Sequence, residues 1–133
     1  MTTVVESATD VVMQRIPESE QAVLEVLFEE APLSASQVAE RIGPARGWSL
    51  QTVKTLLSRL VGRHAVDYDI DGRTFRYKPI IRRDDLAAAQ ARTLIDRLFD
   101  GRAAPLVAHL AERGELSPDD IAEIEAILAR LKP

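Results

Sequence analysis

The chain has 133 residues, a formal charge of −4 and no cysteine, with 46% hydrophobic and 29% charged residues. This describes one globular domain, or one small domain with an extension, and it excludes disulfides, thiolate metal sites and Cys nucleophiles. No apolar run approaches the ~18 residues of a membrane span, and Glu6 and Asp10 stand where a secretory signal would be apolar, so a cytoplasmic protein without membrane insertion is expected.

Residues 1–14 lack a clear period and read as a flexible N-terminal arm. A helical pattern starts after Pro17. Val23, Val26 and Leu27 form its stripe, Leu24 and Phe28 widen it, Glu18 and Glu20 suit its N-terminus, and Pro32 ends it. Ser34 and Gln37 have capping-box spacing, and Ala35, Val38, Ala39 and Ile42 follow the helical period. Gly43-Pro44 is expected to stop this second helix, with residues 45–48 as a linker. Ser49 is the N-cap of a third helix that runs to about Arg63 on a stripe of Val53, Leu56, Leu57 and Leu60.

The period then switches from 3.6 to 2. Residues 65–70 and 73–78 flank Asp71-Gly72, a strong hairpin signal. A two-residue Asp-Gly turn sets Ile70 opposite Arg73, Tyr68 opposite Phe75, and Val66 opposite Tyr77, which makes one face apolar. Asp69 then faces Thr74, and Asp67 faces Arg76 on the polar face. Pro79 closes the strand. A fourth helix from about Asp84 has Ala87, Ala91, Leu94, Ile95 and Leu98 on its apolar side, and Asp100-Gly101 breaks it. A fifth, 103–113, turns Leu106, Val107, Leu110 and Ala111 inward. Ser117-Pro118-Asp119-Asp120 opens a sixth helix with Ile121, Ile124, Ile127, Leu128 and Leu131.

The net charge hides a sorting along the chain. Residues 18–40 carry six acids and no base, whereas residues 41–78 carry eight bases and three acids. Within that positive stretch the third helix has no acid between Ser49 and Arg63. With its apolar stripe inward, its opposite face holds Gln51, Thr55 and Ser58, flanked by Thr52 and Arg59 on one side and Lys54 on the other. Short polar groups edged by cations suit a helix that enters a major groove, where Gln and Thr meet base edges and Lys and Arg meet phosphates. Three helices followed by a hairpin are the order of a winged helix-turn-helix. On the wing, Arg73, Arg76 and Lys78 reach phosphates, or else pair with Asp67, Asp69 and Asp71 as an ordinary ionic surface.

Other chemistries fit less well. Asp67 to Gly72 spell D-x-D-x-D-G, half of a calcium loop, but loop position 12 is Lys78 where a bidentate Glu is needed. His64 and His109 have no ligand spacing, and no nucleophile elbow, phosphate loop or dinucleotide fingerprint is present, so no enzyme, no metal and no cofactor is expected. His64 reads as a cap at the end of the third helix, and Trp48 as an apolar staple against Val53 rather than a stacking platform. The C-terminal helices carry more apolar surface than they can bury among themselves, which suits folding back on the wing or interleaving of two chains.

Ile16-Pro17-Glu18-Ser19-Glu20, the Trp48-Ser49 start and Thr52-Val53-x-Thr55-Leu56-Leu57-x-Arg59-Leu60 run of the third helix, and Gly72-Arg73-x-Phe75-x-Tyr77 in the wing resemble the penicillinase repressor (BlaI/MecI/CopY) family. Leu98 to Gly101, the Leu106-Val107 pair and the acidic last helix fit as well, so the resemblance covers about residues 15–132. It implies a homodimeric repressor on inverted-repeat operator DNA, relieved through a membrane sensor protease. The family's Asn-Phe cleavage bond falls here on His109-Leu110, and the cysteine cluster of its copper-sensing branch has no counterpart.

The expected fold is mainly α with a small antiparallel β hairpin. It comprises an arm over 1–14, a winged-helix DNA-binding domain over 15–81 and three dimerisation helices over 82–133. Expected DNA contacts are Ser49, Gln51, Thr52, Lys54, Thr55, Arg59, Arg73 and Arg76; expected dimer contacts are Leu94, Leu98, Leu106, Leu110, Ile121, Ile124 and Leu128. The competing expectation is a winged-helix module that binds protein instead of DNA.

Overall fold

The computed structural model describes residues 12–132. Its elements are α1 (Glu18–Glu29), β1 (Leu33–Ser34), α2 (Ala35–Arg46), α3 (Leu50–Gly62), β2 (Val66–Asp71), β3 (Thr74–Pro79), α4 (Arg83–Leu98), α5 (Ala103–Glu112) and α6 (Pro118–Leu131). Two compact units divide between Ala91 and Arg92, beyond the 81/82 boundary expected from sequence. The first part of α4 belongs to the first unit because Leu86 and Ala89 are buried in its core.

In that unit α1, α2 and α3 pack their stripes together. Val23, Leu24, Leu27, Val38, Val53, Leu57 and Leu60 are essentially inaccessible to water, and each fully buried aliphatic contributes about 1.5–3 kcal/mol. The arm expected over 1–14 lies, for residues 1–11, outside the described residues. Residues 12–14 are helical and Met13 is buried, with its carbonyl accepting a hydrogen bond from the Gln90 side chain. The apolar Met13 and Ile16 extend the core in place of a loose arm end.

Local chemistry sets the helix boundaries. At α2 the Ser34 hydroxyl accepts from the Gln37 backbone and the Gln37 side chain accepts from the Ser34 backbone, a reciprocal capping box. Gly43-Pro44 does not stop this helix. Pro44 falls in its last turn, where a missing N–H loses a single bond, and the helix continues to Arg46 before Gly47 terminates it at φ 68°. Ala45 and Arg46 are therefore helical rather than linker. Gly43 is needed for space: a Cβ there would lie 3.0 Å from the Trp48 carbonyl oxygen as the chain turns into α3.

The far end of α3 also closes on itself. His64 adopts a left-handed φ of 61°, its N–H donates to the Val61 carbonyl, and the Ala65 N–H donates back to Leu60. This is the Schellman arrangement, usually held by glycine. His64 caps α3 through its backbone geometry.

The sheet is three-stranded and antiparallel, in the order β1-β3-β2. β1, not foreseen from sequence, pairs Leu33 with Tyr77 and Ser34 with Arg76. The hairpin turns on Gly72-Arg73, not on Asp71-Gly72, so Ile70 faces Phe75, Tyr68 faces Tyr77, Asp69 faces Arg76 and Asp67 faces Lys78. An Asp-Gly turn of the expected type requires positive φ at both residues, but only Gly72 supplies it, at 65°. A slip of two residues preserves the faces. Val66, Tyr68, Phe75 and Tyr77 still share one side, with Tyr68 stacked on Phe75 at 4.7 Å.

In the second unit the described residues include no buried one, and Leu98, Val107, Ile121, Leu128 and Leu131 are exposed. The Ser117 and Asp120 capping box opens α6 as its sequence suggests.

Because a β-carbon makes the left-handed region unfavourable, His64→Gly should stabilise the chain by about 1 kcal/mol. A higher urea midpoint with an unchanged slope is the expected reading.

Candidate nucleic-acid interface

Burial of Val53, Leu56, Leu57 and Leu60 decides which way α3 faces. It leaves Gln51, Lys54, Ser58 and Arg59 exposed and Thr55 half-exposed. The polar groups on this face are not equivalent. The Ser49 hydroxyl accepts from the Thr52 backbone at 3.2 Å and lies 3.1 Å from the Thr52 hydroxyl, so both residues serve the cap. The Thr55 hydroxyl donates to the Gln51 carbonyl at 3.0 Å, which leaves an oxygen lone pair and the methyl group uncommitted on a half-exposed side chain. A methyl in that position suits a thymine methyl. Among the described residues the Gln51 amide has no hydrogen bond within the chain, and its donor and acceptor are both available for a base edge.

Ion pairing sorts the cations. Arg41 binds Glu30 at 2.6 Å, Arg46 binds Glu18 at 2.7 Å and Arg63 binds Glu20 at 2.6 Å. On the wing Arg76 meets Asp71 at 3.4 Å and Lys78 meets Asp69 at 3.3 Å. Of the eight bases in residues 41–78, only Lys54, Arg59 and Arg73 make no ion pair among the described residues. All three belong to the expected DNA face. Arg76 does not join them: it lies on the polar side of the wing, opposite to Phe75 and Tyr77 along β3.

The Arg46 hydrogen bonds hold the Glu18 carboxyl below its usual pKa, against a smaller desolvation effect, and Arg41 does the same for Glu30. Both pairs therefore stabilise the fold above the unfolded carboxylate pKa and lose that effect as pH falls through the lowered value. They are exposed, so each contributes little. Glu20 differs. It is 1% exposed, and Arg63 at the end of α3 is its partner, which ties α3 to α1 across 43 residues of sequence. By sequence position Glu20 suits only the helix N-terminus, because nothing local to it reveals a partner so far away.

A cleft of about 530 Å³ opens between α3, the start of α2 and the wing. Lys54 and Ser58 line one side, Ser36 another, and Arg73, Phe75 and Tyr77 the wing side. Burial, and secondarily Tyr68, raises the Tyr77 hydroxyl above its ordinary pKa, so it stays protonated at neutral pH. Ser58 is on the outer face that the helical period predicts, whereas no sequence signal marks Ser36, whose position here depends on how α2 meets α3. Trp48 packs on the core as a staple would, with the Arg46 guanidinium 5.2 Å above its ring. The three wing aspartates do not form a cation loop. Two are held by Arg76 and Lys78, and no group of three or more His, Asp or Glu among the described residues is placed to hold a metal.

Three packed helices, an outward α3 face without acids and an antiparallel hairpin beside it define a winged helix-turn-helix. Comparison with known proteins makes the class narrower. The penicillinase repressor family model matches residues 16–130, and the chain belongs to that family, one of DNA-binding transcriptional repressors and not of enzymes. The chain is 27% identical to the penicillinase repressor of Bacillus licheniformis, over 90% of this chain and 96% of that one. It is 28% identical to the methicillin resistance regulatory protein MecI of Mammaliicoccus sciuri, over 85% and 92% of the two chains. The solution structure of the DNA-binding domain of the repressor BlaI superposes with a TM-score of 0.50 at 27% identity, over 55% of this chain and 89% of that domain. Among the described residues, no helix is long and apolar enough to cross a membrane.

Removing the Arg63 guanidinium leaves Glu20 buried without its ion-pair partner. Arg63→Ala should cost about 3 kcal/mol in chemical unfolding.

Proposed function

We infer that the chain is a sequence-specific repressor that binds an inverted-repeat operator as a homodimer. Gln51, Thr52 and Thr55 read bases, and Lys54, Arg59 and Arg73 hold phosphates. The observation that carries this reading is the segregation of unpaired cations: five neighbouring bases are neutralised by acids, and the three left over edge an acid-free helix face. An interaction module that binds protein has no need of this arrangement.

Dimerisation is supported by the second unit. Leu94, Leu98, Ile121 and Leu128 are exposed, and Leu106, Leu110 and Ile124 only partly covered, in helices whose sequences have an apolar stripe. Two chains that bury these stripes against each other would place two reading heads on two half-sites. Such a repressor works in the cytoplasm without a cofactor. Its relief runs through a membrane sensor protease, with His109-Leu110 in α5 as the candidate bond; His109 is exposed and makes ring contact with Phe99 at 6.3 Å.

Fluorescence anisotropy on duplex DNA from the gene's own promoter tests the reading. Binding should weaken steeply with salt, and Gln51→Ala or Thr55→Ala should lower affinity about tenfold with unchanged thermal stability. Lys54→Gln and Arg73→Gln should each reduce the salt slope by about one. Unaltered binding by all four variants would favour the protein-interaction reading. Separately, Leu98→Asp combined with Leu128→Asp should halve the mass in sedimentation equilibrium, since burying two carboxylates at a dimer contact is costly.

A further inference from the structure

The DNA contacts account for Lys54 and Arg73 but not for the rest of the cleft between α3, the start of α2 and the wing. Its lining includes no carboxylate and no aliphatic side chain larger than Ala35. Lys54 on α3 and Arg73 on the wing, both without an ion pair among the described residues, enter it from opposite elements. The hydroxyls of Ser36, Ser58 and Thr74 line it and make no hydrogen bond among the described residues. The wing wall is aromatic. Tyr68 covers one face of the Phe75 ring at 4.7 Å, yet Phe75 remains 41% exposed, and Tyr77 follows it on the same side of β3.

A volume of about 530 Å³ falls among those of small-molecule sites and is more than a bare inorganic anion fills. The chemistry of the walls defines what fits. The Arg73 guanidinium offers a planar fork that matches a carboxylate, and Lys54 adds a point charge. A flat ring extends the Tyr68–Phe75 stack on its open side. The serine and threonine hydroxyls are donors for the remaining oxygen lone pairs. We propose that this cleft binds a small aromatic carboxylate and that the occupied cleft excludes DNA. The ligand neutralises Lys54 and Arg73, two of the three cations assigned to phosphates, so ligand and duplex each lower the affinity of the other by the same factor. A ligand of this class relieves repression without any bond of the chain being cut. The exclusion rests on the DNA-binding reading; the ligand site does not.

The test uses the full chain at fixed ionic strength, with each anionic probe replacing chloride. Benzoate should saturably shift the amide resonances of Ser36, Ser58 and Thr74. Cyclohexanecarboxylate, which has no aromatic face, benzamide, which has no charge, and inorganic phosphate should each bind more weakly by about fivefold or more. Lys54→Gln and Arg73→Gln should each lower benzoate affinity about tenfold and Phe75→Leu about fivefold, whereas Phe75→Tyr keeps the ring and should bind as the parent does. Lys54 and Arg73 are exposed, so thermal midpoints should not move. Benzoate at about ten times its Kd should weaken promoter binding by about tenfold in fluorescence anisotropy. Benzoate that leaves the three amides unmoved overturns the site, and so does phosphate or cyclohexanecarboxylate that binds as well as benzoate, because the aromatic wall then plays no part. Saturating benzoate that leaves promoter affinity unchanged overturns the exclusion. A parent chain that binds benzoate but no duplex overturns the operator reading and the exclusion with it, and leaves the aromatic-anion site standing.

Discussion

Everything at the outer face of α3 depends on the burial of one stripe of that helix. Val53, Leu56, Leu57 and Leu60 are locked among Val23, Leu24, Leu27 and Val38, and a helix held by four interior side chains has no freedom to roll. Its rotation is therefore set from inside, and the outer residues inherit their direction. The Glu20–Arg63 pair acts on the same helix at its far end. A charge as deeply buried as Glu20 is tolerated only with its partner in place, so the pair favours one alignment of α3 on α1.

A second constraint is electrostatic. The six acids of residues 18–40 lie in sequence just before the basic stretch, and folding brings five of them onto arginines: Glu18, Glu20 and Glu30 onto Arg46, Arg63 and Arg41, and Glu25 and Glu29 onto Arg83. The exposed pairs add little stability. Their consequence is selective neutralisation. Within residues 41–78, positive charge is cancelled at Arg41, Arg46 and Arg63 and along the polar side of the wing but, among the described residues, remains at Lys54, Arg59 and Arg73. A chain with a net negative charge thus presents a local cationic rim at the outer face of α3, a helix without any acid.

The hairpin shows how far pattern carries. Alternation placed Val66, Tyr68, Phe75 and Tyr77 on one face correctly, since side-chain direction is a property of each strand alone. Register depends on which residues accept positive φ, and Asp71 does not, so the cross-strand partners moved by two residues while the faces stayed. The helix ends divide in the same manner. Ser34, Ser49 and Ser117 announced their caps because the bonds span three residues. Gly43-Pro44 suggested a stop because proline disfavours a helix interior, but in the last turn little is lost, and α2 continued to Arg46.

The amino-acid sequence by itself determined the order of the elements, the stripe of α3, the acid-free outer face and the apolar excess of the last three helices. These follow from periodicity and from bonds between near neighbours. Only the tertiary structure decided that Glu20 is buried against Arg63, that Leu33 and Ser34 add a strand to the wing, that Lys54, Arg59 and Arg73 are, among the described residues, the cations of the 41–78 stretch left without an ion pair, and that Ser36 meets Ser58, Arg73 and Phe75 around one cleft. Such juxtapositions join residues tens of positions apart. No local period encodes them, because they arise only when the packed core has fixed how the helices and the sheet meet.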